Sequence, residues 1–221
     1  MVSPDTALRR LLRETGKLLE PYGFGGSEPT WIRVEPGGVA SVGRTRVSRT
    51  WTDGQQTLRF GLHLDATPAA WWEFRNWRDT RLGLAPTSLE NATGPGLVDP
   101  HPPGREQPES WSLRVDPERA GQHAVQADID VIRAELPRRV HAYARRAIAL
   151  VQPDRYLDEL LARPEPDLDT RRAIVVLLAD RGPGPELDDA IHHLRHAIPE
   201  QEAPEYVEEV VTYARTRAAL V

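Results

Sequence analysis

The sequence predicts an α+β protein, in which an N-terminal helix packs on an antiparallel sheet of about five strands and a C-terminal helical bundle follows. Leucines recur at helical spacing near the start, and alternating apolar and polar residues surround two turn signals after it. From residue 116 the apolar residues again recur every three or four positions. We therefore divide the chain into 1–136, an α+β sheet domain, and 137–221, a helical region packed on it.

The first helix is predicted to begin at Ser3 and Pro4, because a hydroxyl caps free amides and proline has no amide hydrogen to leave unpaired. An apolar stripe follows at helical spacing: Leu8, Leu11, Leu12, Leu18 and Leu19. Pro21 and Gly23 end the pattern after about four turns.

A strand meander follows, with turns over 35–38 and at the Asp53-Gly54 pair. A hairpin at Asp53-Gly54 places Val47 opposite Phe60 and Arg44 opposite His63. The core face is then predicted to consist of Ile32, Val34, Val39, Val47, Leu58, Phe60, Leu62 and Leu64. The opposite face collects Trp31, Arg33, Arg44, Arg46, Arg59 and His63, with Ser48 and Gly61 among them.

The rest of the chain supplies two more strands and the helices. We predict strands in the second half of 68–87 and over 110–115, joined by a proline-rich irregular loop over 85–110. Asp116 and Pro117 predict the start of the helical part. Short amphipathic helices are expected over 153–162, 170–180, 186–197 and 205–220.

The composition excludes several classes of function. The chain has 28 basic and 33 acidic side chains, and this net charge of -5 argues against a dedicated nucleic-acid-binding protein. It has no cysteine, which excludes disulfides, thiolate metal sites and a cysteine nucleophile. No apolar run reaches the length of a membrane helix, and the N-terminal stretch "MVSPDTALRRLLRE" lacks a hydrophobic signal core, so we expect a cytoplasmic protein.

The basic sheet face is the candidate ligand-binding surface. Guanidinium groups around an exposed tryptophan bind carboxylates or phosphates while the ring stacks on an apolar part of the partner. Trp31, Arg33, Arg44, Arg46, Arg59 and His63 would then bind a protein partner or an anionic small molecule. Two alternatives stay open: an ordinary solvated sheet face, or a face covered by acidic side chains of the C-terminal helices.

Other motifs give weaker candidates. A hydrolase-type enzyme would use His63 and Asp65 on the same face, although their mutual geometry is open. His192 and His196 lie one helical turn apart, a spacing that suits a metal, but they fall on the outer side of their helix. Trp71, Trp72, Phe74 and Trp77 suit either an interaction surface or core packing. We expect no cofactor and no resident metal, and the sequence leaves the oligomeric state open.

Five short sequence motifs carry a family resemblance: "LLEPYGF" at 18–24, "TWIRV" at 30–34, "LRFGLHL" at 58–64, "RLG" at 81–83 and "WSL" at 111–113. Their order resembles a bacterial family of domains of unknown function, family 4304. The resemblance implies an α+β fold and carries no catalytic residues. By analogy with other small bacterial α+β families, it suggests an immunity or accessory protein.

Overall fold

The fold is described from a computed structural model, which describes residues 2–52, 54–98, 110–117, 122–197 and 204–221. The predicted α+β class is confirmed. The helices are α1 (Pro4–Leu19), α2 (Ala69–Arg81), α3 (Gln126–Leu150), α4 (Arg155–Leu161), α5 (Leu168–Ala179), α6 (Pro185–His196) and α7 (Pro204–Ala218). The strands are β1 (Gly25–Ser27), β2 (Thr30–Glu35), β3 (Gly38–Arg44), β4 (Ser48–Thr52), β5 (Gln55–Phe60), β6 (Leu62–Pro68) and β7 (Trp111–Arg114).

The N-terminal helix forms as predicted. The Ser3 hydroxyl accepts a hydrogen bond from the Thr6 backbone N–H at 3.3 Å, which caps the first turn of α1. A single 3-10 turn follows α1, and Gly23 then takes a positive φ of 76° that redirects the chain. This turn brings the chain back along α1 into β1.

The described strands form two antiparallel sheets where the sequence predicted one. The orders are β1-β2-β3-β6 and β4-β5-β7. The chain passes from β5 to β6 at Gly61, where the Thr45 N–H donates to the Gly61 carbonyl at 3.0 Å. The Gly61 N–H donates instead to the Thr45 hydroxyl at 2.7 Å. Because a side chain replaces a backbone carbonyl at this point, the ladder is interrupted and the chain changes sheet.

The predicted hairpin register is confirmed where β4 and β5 pair. Ser48 lies opposite Arg59 and Thr52 opposite Gln55, which is the alignment that the Asp53-Gly54 turn predicts. On its other side β5 pairs with β7, and Leu58 lies opposite Leu113. The closing strand predicted over 110–115 is thus also confirmed.

The faces of β2 are the reverse of those predicted. Trp31, predicted to be exposed, is only 5% exposed, whereas Val34, predicted to be in the core, is 47% exposed. Both faces of β2 carry apolar residues, so alternation alone does not decide between them. Burying an indole removes more apolar area from water than burying a valine, and this difference favours Trp31 inside.

Two further predictions of secondary structure are wrong. The second half of 68–87 is not a strand, because α2 extends to Arg81 and residues 82–87 belong to no strand. This helix buries Ala70, Trp71 and Phe74 on one side. The helical part does not begin at Asp116 either. The Asp116 N–H donates to the His123 carbonyl at 2.7 Å, Val115 pairs with Ala124, and α3 begins only at Gln126. The proline-rich loop falls partly on 99–109, outside the described residues.

Two compact units make up the fold, each built from three separate parts of the chain. The first comprises the described parts of Met1–Arg33, Ala40–Asp65 and Pro100–Ile148, and the second those of Val34–Val39, Ala66–Asp99 and Ala149–Val221. The division at residue 136 stays a prediction, and the point at which it falls lies within α3.

An ion pair between a buried arginine and a partly buried glutamate lies in the first unit. Arg139 of α3 is 3% exposed, and its guanidinium lies 4.1 Å from the centre of the Trp111 ring. Glu135 accepts hydrogen bonds from Arg139 at 2.6 Å and from the Trp111 indole at 2.7 Å. Burial alone would raise the pKa of Glu135, but these two bonds and the charge of Arg139 hold it below its usual value.

Helix α5 forms the centre of the second unit, where α2, α4, α6 and α7 pack around it. Arg217 of α7 joins two of these elements, with contacts of 3.0 Å to Glu73 and 2.7 Å to Asp180. Burial and the neighbouring Glu73 carboxylate raise the pKa of Tyr213 to about 12. Of the aromatic residues of α2, Trp71 and Phe74 are buried, and Phe74 packs against Tyr213 at a centroid distance of 5.1 Å. The Trp72 indole instead donates to the Thr87 carbonyl at an exposed position. In the described part of the chain, no helix has both the length and the hydrophobicity needed to cross a membrane.

Replacing Glu135 with alanine should lower the free energy of unfolding at pH 7 by about 3 kcal/mol, because a buried arginine then loses its counter-charge. As the folded pKa of Glu135 lies below the unfolded one, its stabilisation is present above about pH 4.3 and is lost as the pH falls through the folded pKa. The difference between variant and wild type in urea unfolding should accordingly shrink from pH 7 to pH 3.

Glu14→Ala is the matched control for this prediction. It removes an ion pair with Arg133, another residue of α3, at 2.9 Å, and both side chains are at least 40% exposed. Its cost should stay below about 1 kcal/mol. If both variants lowered the free energy of unfolding equally, the pair of Glu135 and Arg139 would contribute no more than an exposed ion pair does.

Candidate functional site

The structure separates the residues of the predicted ligand-binding face. The four-stranded sheet carries Trp31, Arg33, Arg44 and His63, the three-stranded sheet carries Arg59, and Arg46 lies in the segment between β3 and β4. The prediction that all six share one face requires one continuous sheet. Because the strands divide into two sheets at Gly61, this condition is not met.

Three of these residues are engaged within the fold. Trp31 is buried, and the Arg33 guanidinium donates to the Tyr22 carbonyl just after α1. Arg44 contacts Glu28 at 3.2 Å and donates to the Thr45 carbonyl at 3.0 Å, with its side chain 19% exposed. These partners of Arg44 lie in the N-terminal part of the chain, not in the C-terminal helices.

The other three residues are exposed. Arg59 lies between Ser48 and Ser112 on neighbouring strands, and Arg46 is also exposed. The His63 ring lies over Gly43, where an added methyl group would be 2.5 Å from His63 Cε1. Partial burial lowers the pKa of His63, although the Asp65 carboxylate opposes this effect. A lowered pKa keeps the imidazole neutral at pH 7 and removes it as a cation for an anionic ligand.

The catalytic alternative gains little from this geometry. His63 is neutral beside Asp65, as a general base would be, but no hydroxyl within the described ranges hydrogen-bonds the ring. The hydrolase therefore stays a prediction.

The candidate metal pair is also weak. The rings of His192 and His196 lie 4.0 Å apart, and no group of three metal-ligating side chains occurs among the residues that the structure describes.

A groove that the sequence patterns did not predict lies within the first unit, between α1 and β1. Its volume is about 430 Å³, within the usual range of ligand sites. Leu12, Phe24 and Trp31 form its apolar floor, and each is less than 6% exposed. We call it the basic groove because three cationic side chains line its α1 side: Arg9, Arg13 and Lys17.

These three cations form a straight row along one side of α1, which we call the basic row. They are spaced four residues apart, so they follow one another on successive turns. All three are exposed, and no carboxylate in the described part of the chain forms an ion pair with any of them. The groove also contains Glu20 and Glu28, but Arg44 already neutralises Glu28. The groove is therefore positive although the whole chain is negative.

Gly16 determines how closely the Trp31 ring at the floor of the groove approaches α1. A methyl group added at Gly16 would lie 2.9 Å from the Trp31 ring nitrogen, too close for any β-carbon. The absence of a side chain at this position lets the indole pack directly against α1. This close approach accounts for a glycine within the last turn of α1, although glycine inside a helix is unfavourable by about 1 kcal/mol relative to alanine.

The opposite side of the groove is a free sheet edge. Among the described strands β1 pairs only with β2, with Gly26 opposite Trp31, and all three of its residues are exposed. An edge strand presents backbone N–H and C=O groups that a further strand can pair with. The basic groove thus has cations on one side, backbone hydrogen-bonding groups on the other and an aromatic floor.

Part of this site has a signal in the sequence that could have found it. Arg9, Arg13 and Lys17 recur at the spacing of one helix face, and Lys17 is the sole lysine of the chain. What the sequence does not show is that Phe24, Gly26 and Trp31 return to the same side of α1. That information depends on the turn at Gly23 and on the burial of Trp31.

Comparison with known proteins adds no functional assignment: no family model, no curated protein and no solved structure matches the chain. The resemblance to family 4304 therefore stays a prediction.

Replacing Gly16 with alanine should lower the free energy of unfolding by about 1–2 kcal/mol, because displacing a buried indole outweighs the gain in helix propensity. Urea unfolding measures the change, and the indole N–H signal of Trp31 in an NMR spectrum should shift. Gly25→Ala is the control, since an added methyl group there meets nothing within 4 Å. A stabilised Gly16→Ala variant would contradict the close contact.

Proposed function

We propose that this protein is a non-catalytic binding protein that holds an acidic segment of a partner protein in the basic groove. The observation that carries the proposal is the basic row, three exposed cations without carboxylate partners among the described residues, beside an aromatic floor. Among the exposed arginines elsewhere on the first unit, Arg133 pairs with Glu14 and Arg114 with Asp128, while Arg10, Arg46 and Arg59 lie outside the groove. Cations that are left unpaired in a groove favour an external anion.

Charge supports a protein partner over nucleic acid. The chain carries a net charge of -5, which opposes the broad approach of a phosphate backbone. A local positive groove on a negative protein attracts a short acidic segment and repels a long polyanion. The proposal keeps the partner class that the sequence predicted, an acidic protein surface or an anionic ligand, and changes the place where it binds.

The residues of the predicted sheet face are not excluded by this proposal. Trp31 stays in the proposed site, as the buried floor of the groove and not as the exposed ring that the sequence predicted. Arg46 and Arg59 are exposed but lie outside the groove, so they stay predicted contacts only of the alternative arginine face. A cytoplasmic location and a role as a bacterial immunity or accessory protein are parts of the same proposal, and they rest on composition and analogy alone.

The test is the binding of fluorescein-labelled polyglutamate of six residues, a short acidic segment, measured by fluorescence anisotropy in 50 mM and 300 mM salt. The wild type should bind it, and the higher salt should weaken binding because the contacts are exposed. The triple variant R9Q/R13Q/K17Q should lose about tenfold or more in affinity, since it removes three charge-assisted contacts.

The control is the triple variant R10Q/R46Q/R59Q, which changes the net charge equally at exposed positions outside the groove. Its affinity should stay within about threefold of the wild type, the residual effect of long-range charge. If this second variant loses binding and the first does not, the predicted arginine face is the site and the groove is not. Absence of polyglutamate binding by the wild type would refute the proposal altogether.

A further inference from the structure

We infer that the partner of the basic groove is an extended segment that adds to the edge of β1 as a further strand and carries acidic side chains at alternate positions. This inference rests on the proposed function and deepens it, because it specifies the conformation and the charge pattern of the partner. It follows from the spacing of the basic row, from the free edge of β1 and from the volume of the groove.

The first step is the spacing of the cations. Residues four apart on an α-helix are separated by about 6 Å along its axis, so the basic row spans about 12 Å. In an extended chain, every second side chain lies on the same face, about 6.7 Å from the previous one. Three alternate carboxylates would thus span about 13 Å, and flexible arginine and lysine side chains accommodate a mismatch of about 1 Å.

The second step is the edge of β1, which lies across the groove from the basic row. A strand that adds to a sheet edge gains main-chain hydrogen bonds, while its alternate side chains reach the neighbouring pockets. Gly25 and Gly26 have no side chains that would obstruct this approach, and the three residues of β1 are exposed. A nucleic-acid backbone could meet the cations but could not form these pairs.

The third step excludes a helical partner. Acidic residues four apart on a helix would also match the basic row, since both spacings are about 6 Å. A helix with its side chains is about 10–12 Å across, however, and it satisfies its own backbone groups. It would leave the edge of β1 unpaired and would not enter a groove of about 430 Å³. An extended segment uses both sides of the groove.

The charges along α1 also limit the number of acidic residues that the partner segment can place in the groove. Glu20 lines the groove one turn beyond Lys17, so the basic row ends in a negative charge. An acidic residue of the partner at this end would be repelled. Three alternate carboxylates therefore pair with all three cations of the basic row, and a fourth carboxylate would add no affinity.

The experiment compares two labelled peptides of equal composition, each with three glutamates and five threonines, by fluorescence anisotropy on the full chain. One has glutamates at the second, fourth and sixth positions, and the other at the second, fifth and eighth. The first should bind at least tenfold more tightly, because in the second peptide only one carboxylate at a time meets the basic row from an extended backbone. Equal binding by the two peptides would overturn the inference while leaving the proposed function in place.

Backbone pairing is tested separately with two N-methylated forms of the alternating peptide, each blocking one alternate set of amide groups. Strand addition predicts that one form loses binding and the other keeps it, since only one set of amides faces β1. If both forms bind as the parent does, no strand is added. Tighter binding of a helical peptide with glutamates four apart, or of oligothymidylate, would identify a different partner and overturn the inference.

A variant that should bind more tightly gives a further test, because misfolding would lower the affinity and not raise it. Glu20→Gln removes the negative charge at the end of the row and should raise the affinity for the alternating peptide about twofold to threefold. Glu90→Gln, an exposed residue outside the groove, is the control with the same change in charge. An affinity that is unchanged or lower in Glu20→Gln would show that the peptide does not lie along α1.

Discussion

The contact between Trp31 and Gly16 is the constraint on which the functional interpretation depends. An indole ring packed on a helix backbone, with 2.9 Å between its nitrogen and the position of a missing methyl group, fixes which face of β2 is buried. It also fixes the distance between α1 and the first hairpin. Because Trp31 occupies the space beneath α1, the outer side of the helix lies beside β1, and the groove forms between them. The burial of one aromatic side chain thereby helps to form the groove that the three cations line.

Arginine is abundant in this chain, so the number of arginines indicates little about binding. What distinguishes one arginine from another is its partner. Arg139 is buried over Trp111 and held by Glu135, Arg44 is held by Glu28, and Arg217 bridges Glu73 and Asp180. Each of these contributes to packing and leaves no charge for a ligand. The row of Arg9, Arg13 and Lys17 differs because its three cations line one groove and no carboxylate of the described chain pairs with them, so their positive charge is available to an external carboxylate.

Local patterns predicted much of the fold. Ser3 and Pro4 predicted the start of α1, the Asp53-Gly54 turn predicted the register of β4 and β5, and the C-terminal helices begin and end within about two residues of their predicted bounds. The errors arose where two solutions satisfied the same pattern. The aromatic segment that forms α2 was assigned in part to a strand, although its apolar residues recur at helical spacing. The candidate face failed as a unit because the ladder breaks at Gly61, where the Thr45 hydroxyl takes the place of a backbone acceptor.

The sequence by itself determined the fold class, the capped N-terminal helix, the hairpin register and the net negative charge, since each of these depends on neighbours along the chain. Only the tertiary structure decided which side of β2 is buried, that the strands divide into two sheets, and which cations remain unpaired. The physical reason is that burial and ion pairing are set by residues far apart in sequence. Arg44 and Glu28 are 16 residues apart, and Gly16 and Trp31 meet only after the chain has turned back at Gly23.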